Sequence, residues 1–87
     1  MANKRTLKKN LGYIMDDLFA ATIMSAVQEG SNKDKATEVQ TRILKVYNDF
    51  NSRLSNYERR NARPFFRQFK QELNAEIEGI INGIEEI

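Results

Sequence analysis

The chain has no cysteine and no histidine, and only one proline among its 87 residues. Each absence removes a class of function. Without cysteine there is no disulfide staple and no thiolate ligand, so the fold must rely on apolar burial. The same absence fits a reducing compartment. Without histidine the chain lacks the one side chain that titrates near neutrality unaided, and with it the commonest nitrogen ligand for metals. A structural zinc site therefore has no ligand set. No glycine-rich phosphate loop and no nucleophile elbow is present. One proline and four glycines leave little punctuation for a β-rich fold.

Long apolar runs are also missing. None approaches the ~20 residues of a membrane-spanning helix. Lys4, Arg5, Lys8 and Lys9, followed by the fairly apolar stretch Leu18 to Val27, imitate a secretory signal. Asp16 and Asp17 break that imitation, because the apolar core of a signal is uncharged. The expectation is a cytoplasmic protein with no membrane association.

What is present reads as an ordinary folded domain. The composition is 40% apolar and 30% charged, with a net charge of +2. Residues 1–87 make one domain, near the lower end of chains that fold unaided. Such a chain buries roughly 60–65% of the surface that it exposes when unfolded, so an oligomer would help it by burying more.

Apolar residues recur at helical spacing in three segments. The first places Leu7, Leu11, Ile14, Met15, Leu18, Thr22 and Ala26 on one stripe, with Thr6 as its cap and Gly30 as its terminator. The second carries Ala36, Val39, Ile43, Val46, Phe50 and Leu54, with Tyr47 widening the face and charges opposite. It fades after Ser55-Asn56, with Tyr57 to Arg60 as one further turn. The third opens at Pro64, a residue suited to a first helical position, and runs through Phe65, Phe66, Phe69, Leu73, Ile77, Ile80, Ile81, Ile84 and Ile87. The reading is all-α: helices over approximately 6–28, 34–56 and 64–86, each ~34 Å long, in an up-down-up three-helix bundle. A helical hairpin that dimerises into a larger bundle is the structural rival.

The chemistry of such a chain is thin. Asp16 and Asp17 are adjacent and point about 100° apart on a helix, so they do not converge. Glu72 and Glu76 lie one turn apart and share a face, a pattern able to hold magnesium or calcium with partner ligands, although a solvated face is the plainer reading. No catalytic residue, cofactor or metal site is assigned, and the chain is read as a non-enzyme.

The charges are unevenly placed. Lys4, Arg5, Lys8 and Lys9 open the chain, and Arg59, Arg60, Arg63, Arg67 and Lys70 surround the third helix start. Glu72, Glu76, Glu78, Glu85 and Glu86 then follow with no base among them. In an up-down-up bundle both basic clusters and Arg53 gather at one pole, and the acidic end of the third helix lies at the other, near Glu29 and Asp34. Helix macrodipoles do not explain this, since they favour acids at helix starts and bases at helix ends. Three readings compete. The surface is simply solvated; or Arg59, Arg60, Arg63 and Arg67 contact an anion or nucleic acid, with Tyr57 or Phe65 stacking on a base; or opposite poles drive association, as in an antiparallel dimer.

Two segments carry more apolar surface than a bundle requires. Phe19, Ile23, Met24 and Val27 lie beside the stripe of the first helix, so that helix is either the most buried or lends a face to a partner. In the third, Leu73, Ile77, Ile80, Ile84 and Ile87 follow coiled-coil spacing. Gly79 and Gly83 form a small-residue groove open to another backbone. Core packing and a glycine-tolerant helix end are the plain alternatives. Together these features predict a protein-interaction module that homo-oligomerises, most simply as a homodimer, with another protein as a further partner. A nucleic-acid or anion-binding accessory protein is the alternative.

The opening Asn3-Lys4-Arg5-Thr6-Leu7-Lys8-Lys9-Asn10, running on to Tyr13-Ile14 and Leu18-Phe19, resembles the start of a family of short helical proteins from bacteria of the Bacteroides group. The likeness covers about the first twenty residues. It implies a bacterial cytoplasmic setting. That family has no established activity, so no site residue carries over from it.

Overall fold

Three helices account for nearly all of the described chain: α1 Lys4–Ala26, α2 Lys33–Asn56 and α3 Ala62–Glu85. The structure, a computed structural model, describes residues 4–57, 60 and 62–87. Arg59 lies outside the described residues. No helix among them is long and apolar enough to cross a membrane.

Two contacts fix the up-down-up order. Lys8 Nζ donates to Ser55 Oγ at 2.8 Å, which sets the first turns of α1 beside the last turn of α2. The Asn32 amide donates to the Ile87 carbonyl at 2.6 Å, which ties the α1–α2 link to the far end of α3. The hairpin rival therefore does not describe this chain, since α3 packs on the other two helices.

The links follow from local chemistry. Gly30 has φ of 82°, a left-handed conformation that glycine adopts without a Cβ clash. Ser31 Oγ donates to the Ala26 carbonyl, and so does Lys33 Nζ, so the exposed end of α1 is satisfied by a hydroxyl and a cation. Asn32 then caps α2, its Oδ1 accepting from the Lys35 amide at 3.0 Å. At the other link Tyr57 leaves the helix in extended backbone, so the further turn expected over Tyr57 to Arg60 does not continue α2.

Boundaries differ by about two residues from the sequence reading. Helix α1 already includes Lys4, which places Thr6 inside the helix and not at its cap. Helix α3 begins at Ala62, so Pro64 sits in the first turn, where a missing amide proton still costs no helical hydrogen bond.

The core matches the second stripe in full: Ala36, Val39, Ile43, Val46, Phe50 and Leu54 are all buried. Helix α3 adds Phe69, Leu73 and Ile80, and α1 adds Leu11, Met15 and Thr22. Thr22 is wholly buried, and its hydroxyl donates to the Leu18 carbonyl at 2.9 Å, so it brings no unpaired group inside. Ile77, Ile84 and Ile87 pack against this core, so the coiled-coil spacing of α3 is spent within the chain.

The bundle is slender. Its extents are 51 × 18 × 18 Å and its radius of gyration is 14.5 Å. A compact chain of this length would have a radius of about 12 Å.

Candidate interaction surface

The apolar surplus of α1 divides: Phe19 and Ile23 line a groove, whereas Met24 and Val27 stand exposed outside it. Ile23, Met24 and Val27 are 46%, 65% and 69% exposed, and Leu44 of α2 is 55% exposed. Phe19, Ile23, Leu44 and Tyr47 wall an open groove of about 360 Å³ whose floor is Met15 and Ile43. Only α1 and α2 line it, so it lies on the side of that pair turned away from α3. Asp16 is its one charged lining residue.

The local reason is helical arithmetic. Phe19, Ile23 and Val27 step by four residues, which moves them about 40° per step around the helix and off the core side. Phe19 is half-buried at the groove wall, while Val27 has swung into solvent. Of the two options for α1, the structure selects the one in which apolar side chains remain uncovered. Only Met15 of its two long methionines in this region is core; Met24 is surface.

The glycine pair of α3 belongs elsewhere. Gly83 is buried against α2, where an added Cβ would meet Val39 Cγ2 at 2.9 Å. Gly79 lies under the guanidinium of Arg42, with its Cζ 2.9 Å from the same hypothetical position. The groove proposed for a partner backbone is thus filled by α2 of the same chain, and Gly79 and Gly83 are not partner contacts. Their substitutions should differ in sign. Gly79→Ala gains about 1 kcal/mol of helix propensity and displaces only the flexible end of Arg42. Gly83→Ala must push a buried β-branched side chain, at a cost of typically 1–3 kcal/mol. Thermal denaturation should show the first variant at least as stable as the parent and the second less stable.

Helix α3 also settles the carboxylate pair. Glu72 accepts from Arg53 at 2.7 Å, and Glu76 from Arg42 at 3.1 Å. Each carboxylate is held by its own arginine across the α2–α3 seam, so they do not form a shared cation site. Among the described residues no cluster of three metal-ligating side chains exists. Farther along the seam Lys35 pairs with Glu86 at 3.0 Å. That hydrogen bond holds the Lys35 ammonium above the usual lysine range.

Among the described residues the basic pole loses Arg53. Arg53 is paired with Asp49 and Glu72 and lies over the Phe50 ring, so it is spent on internal contacts. Arg60, Arg63, Arg67 and Lys70 are exposed. The aromatic residues there are half-buried and packed on one another. Tyr57 and Phe65 stack on each other with centroids 4.8 Å apart, and Phe66 and Phe69 close the cluster. This cluster anchors the start of α3 to the end of α2 and fixes where its arginines project.

Sequence reasoning did not single out Leu44. It falls outside the stripe of α2 by about 100°, and only the neighbouring path of α1 makes it the wall of a groove. Comparison with protein-family models, with curated proteins and with solved structures gives no match, so the functional reading rests on this groove and this pole.

Proposed function

We propose that the chain is a non-enzymatic helical interaction module that forms a two-fold homodimer through the α1–α2 face. The observation that carries this reading is the uncovered apolar groove walled by Phe19, Ile23, Leu44 and Tyr47. A second copy is the occupant that the molecule's dimensions favour. The chain exposes 6330 Å², whereas a compact monomer of this mass would expose about 5,300 Å². The excess of about 1,000 Å² is close to the ~800 Å² that each partner contributes to a standard interface.

Charge supports an antiparallel arrangement. In that arrangement Arg5 and Lys9 of one copy approach the end of the other that carries Glu29 and Asp34. A parallel arrangement would set like poles together, which is unfavourable. A bacterial cytoplasmic setting belongs to the same proposal; it rests on the resemblance of the first twenty residues, and the cysteine-free composition fits a reducing compartment.

Light scattering at micromolar concentration should give a mass near twice 10.1 kDa. Because the contact is apolar, the dimer should persist at ~1 M salt, where exposed charge interactions are screened within ~3 Å. A clean monomer at ~100 µM would overturn the proposal, since mass action would by then populate any dimer of ordinary affinity.

A further inference from the structure

Helix α3 carries a second exposed surface, unrelated to the apolar groove. Arg63, Arg67 and Lys70 are spaced by four and three residues and therefore share one helical face. Each stands nine residues before a group that meets α2: Glu72 on Arg53, Glu76 on Arg42, and Gly79 beneath Arg42. Nine residues are two and a half turns, so the basic stripe points directly away from the α2 seam. All three side chains are exposed, and Arg60 lies just before them. Among the described residues none of the four enters an ion pair. The paired cations are Lys35, Arg42 and Arg53, all of them on α2.

This contrast is the informative point. Along the α2–α3 seam Glu72, Glu76 and Glu86 each meet a base of α2. The stripe has no such match, and its helix-start position disfavours cations. The helix that carries Arg63, Arg67 and Lys70 is also anchored. The stacked Tyr57–Phe65 pair and the Phe50–Phe69 contact at 5.2 Å lock the first turns of α3 to α2.

We propose that the Arg63–Arg67–Lys70 stripe, extended by Arg60, binds the phosphodiester backbone of a nucleic-acid duplex without reading its sequence. The stripe is ~10 Å long at 1.5 Å per residue. A duplex presents one phosphate charge per ~1.7 Å of its axis, so about six phosphates, on both strands together, lie along that length and about half of them face one side. Three of the four cations are arginines, whose planar fork matches phosphate oxygens in pairs. A single strand fits less well, because Tyr57 and Phe65 are half-buried and stacked on each other, which leaves less ring face for a base. A membrane surface fits less well too. Gln71 and Asn74 beside the stripe are polar, and Ile81, 43% exposed, is the one large apolar side chain on that face that stands in water, whereas interfacial helices need a broad apolar flank to insert.

The stripe lies on α3 and the groove on the face turned away from α3, so duplex binding and dimerisation are separable. The test uses the full-length chain, a fluorescein-labelled duplex DNA and a duplex RNA of the same sequence, read by anisotropy. About four phosphate contacts predict that affinity falls roughly 100-fold between ~50 and ~200 mM salt. The triple variant Arg63→Gln, Arg67→Gln, Lys70→Gln should lose binding and keep the parent's helicity and its scattering mass. Should that variant fail to fold, Arg67→Gln alone is read instead; it should lower the salt slope by about one unit. Binding of DNA alone, RNA alone or both supports the proposal and names the source of the backbone. It is overturned if neither duplex binds at the lower salt, if the stripe variants bind as the parent does, or if vesicles of phosphatidylserine and phosphatidylcholine bind while both duplexes do not.

Discussion

Replacing Phe50 with alanine should lower the free energy of unfolding by about 3–5 kcal/mol, the range for deleting a buried phenyl ring. Total stabilities of small domains begin near ~5 kcal/mol, so the variant should be largely unfolded or close to it at room temperature. The ring is 2% exposed and sits where three sets of contacts meet. It packs edge-on against Phe69 at 5.2 Å, it lies beneath the Arg53 guanidinium at 4.6 Å, and it belongs to the shared core of α2. Removing it leaves a cavity at the junction that orients the start of α3. The neighbours cannot easily collapse into that cavity, because Phe65, Phe66 and Phe69 are already packed on one another. Urea denaturation followed by circular dichroism measures the loss. A change below ~1 kcal/mol would mean that the aromatic junction is not packed as described. Phe69→Ala should be non-additive with it, since residues in contact couple by about 0.5–3 kcal/mol. The measurement should be made at more than one protein concentration, because dimerisation adds stability by mass action.

Leu44→Glu should do the opposite: leave the fold intact and remove the dimer. Leu44 is 55% exposed in the single chain, and leucine and glutamate have similar helix propensities, so the folded chain loses little. In the proposed dimer the same position is covered. A two-fold interface uses each residue twice, so the substitution buries two carboxylates without partners. The desolvation penalty is several kcal/mol per ion, which raises the dissociation constant by at least ~100-fold. Light scattering should then report a mass near 10.1 kDa with unchanged helicity. A variant that remains dimeric would move the interface away from the α1–α2 groove. Because Leu44 is remote from the basic stripe, duplex binding should survive in this variant, which keeps the two proposals distinguishable.

Much of the fold was legible because it depends on periodicity. The stripe from Ala36 to Leu54 is buried at every position, and its polar face is exposed, since a strongly amphipathic helix has only one way to face a core. The single proline and Gly30 marked the two links to within about two residues. Helix α1 was harder to read. Its apolar residues cover more than one face, and sequence alone does not say which face a neighbour will take. Thr6 shows the same limit at smaller scale: a residue suited to capping sits inside the helix, where the periodic pattern had already begun.

The candidate sites divide in the same way. Ile23, Met24 and Val27 were legible as surplus, whereas Leu44 was not, because its role depends on which helix runs alongside. Gly79 and Gly83 looked like an opening for another backbone. The helix that makes that approach lies some forty residues earlier in the same chain, a separation that spacing within α3 does not reveal. Glu72 and Glu76 likewise shared a face as expected, but Arg53 and Arg42 reached them first.

The sequence by itself determined that this protein is helical, has three segments, concentrates bases near the starts of the first and third helices, and lacks thiol and imidazole side chains. Those properties are local: they follow from residue type and from a period of 3.6. Only the tertiary structure decided which apolar face stays in water, which glycines are filled, and which charges are neutralised across a seam. Those outcomes depend on how three similar rods are placed side by side. That placement is set by contacts between residues far apart in the chain, such as Asn32 with Ile87 and Tyr57 with Phe66.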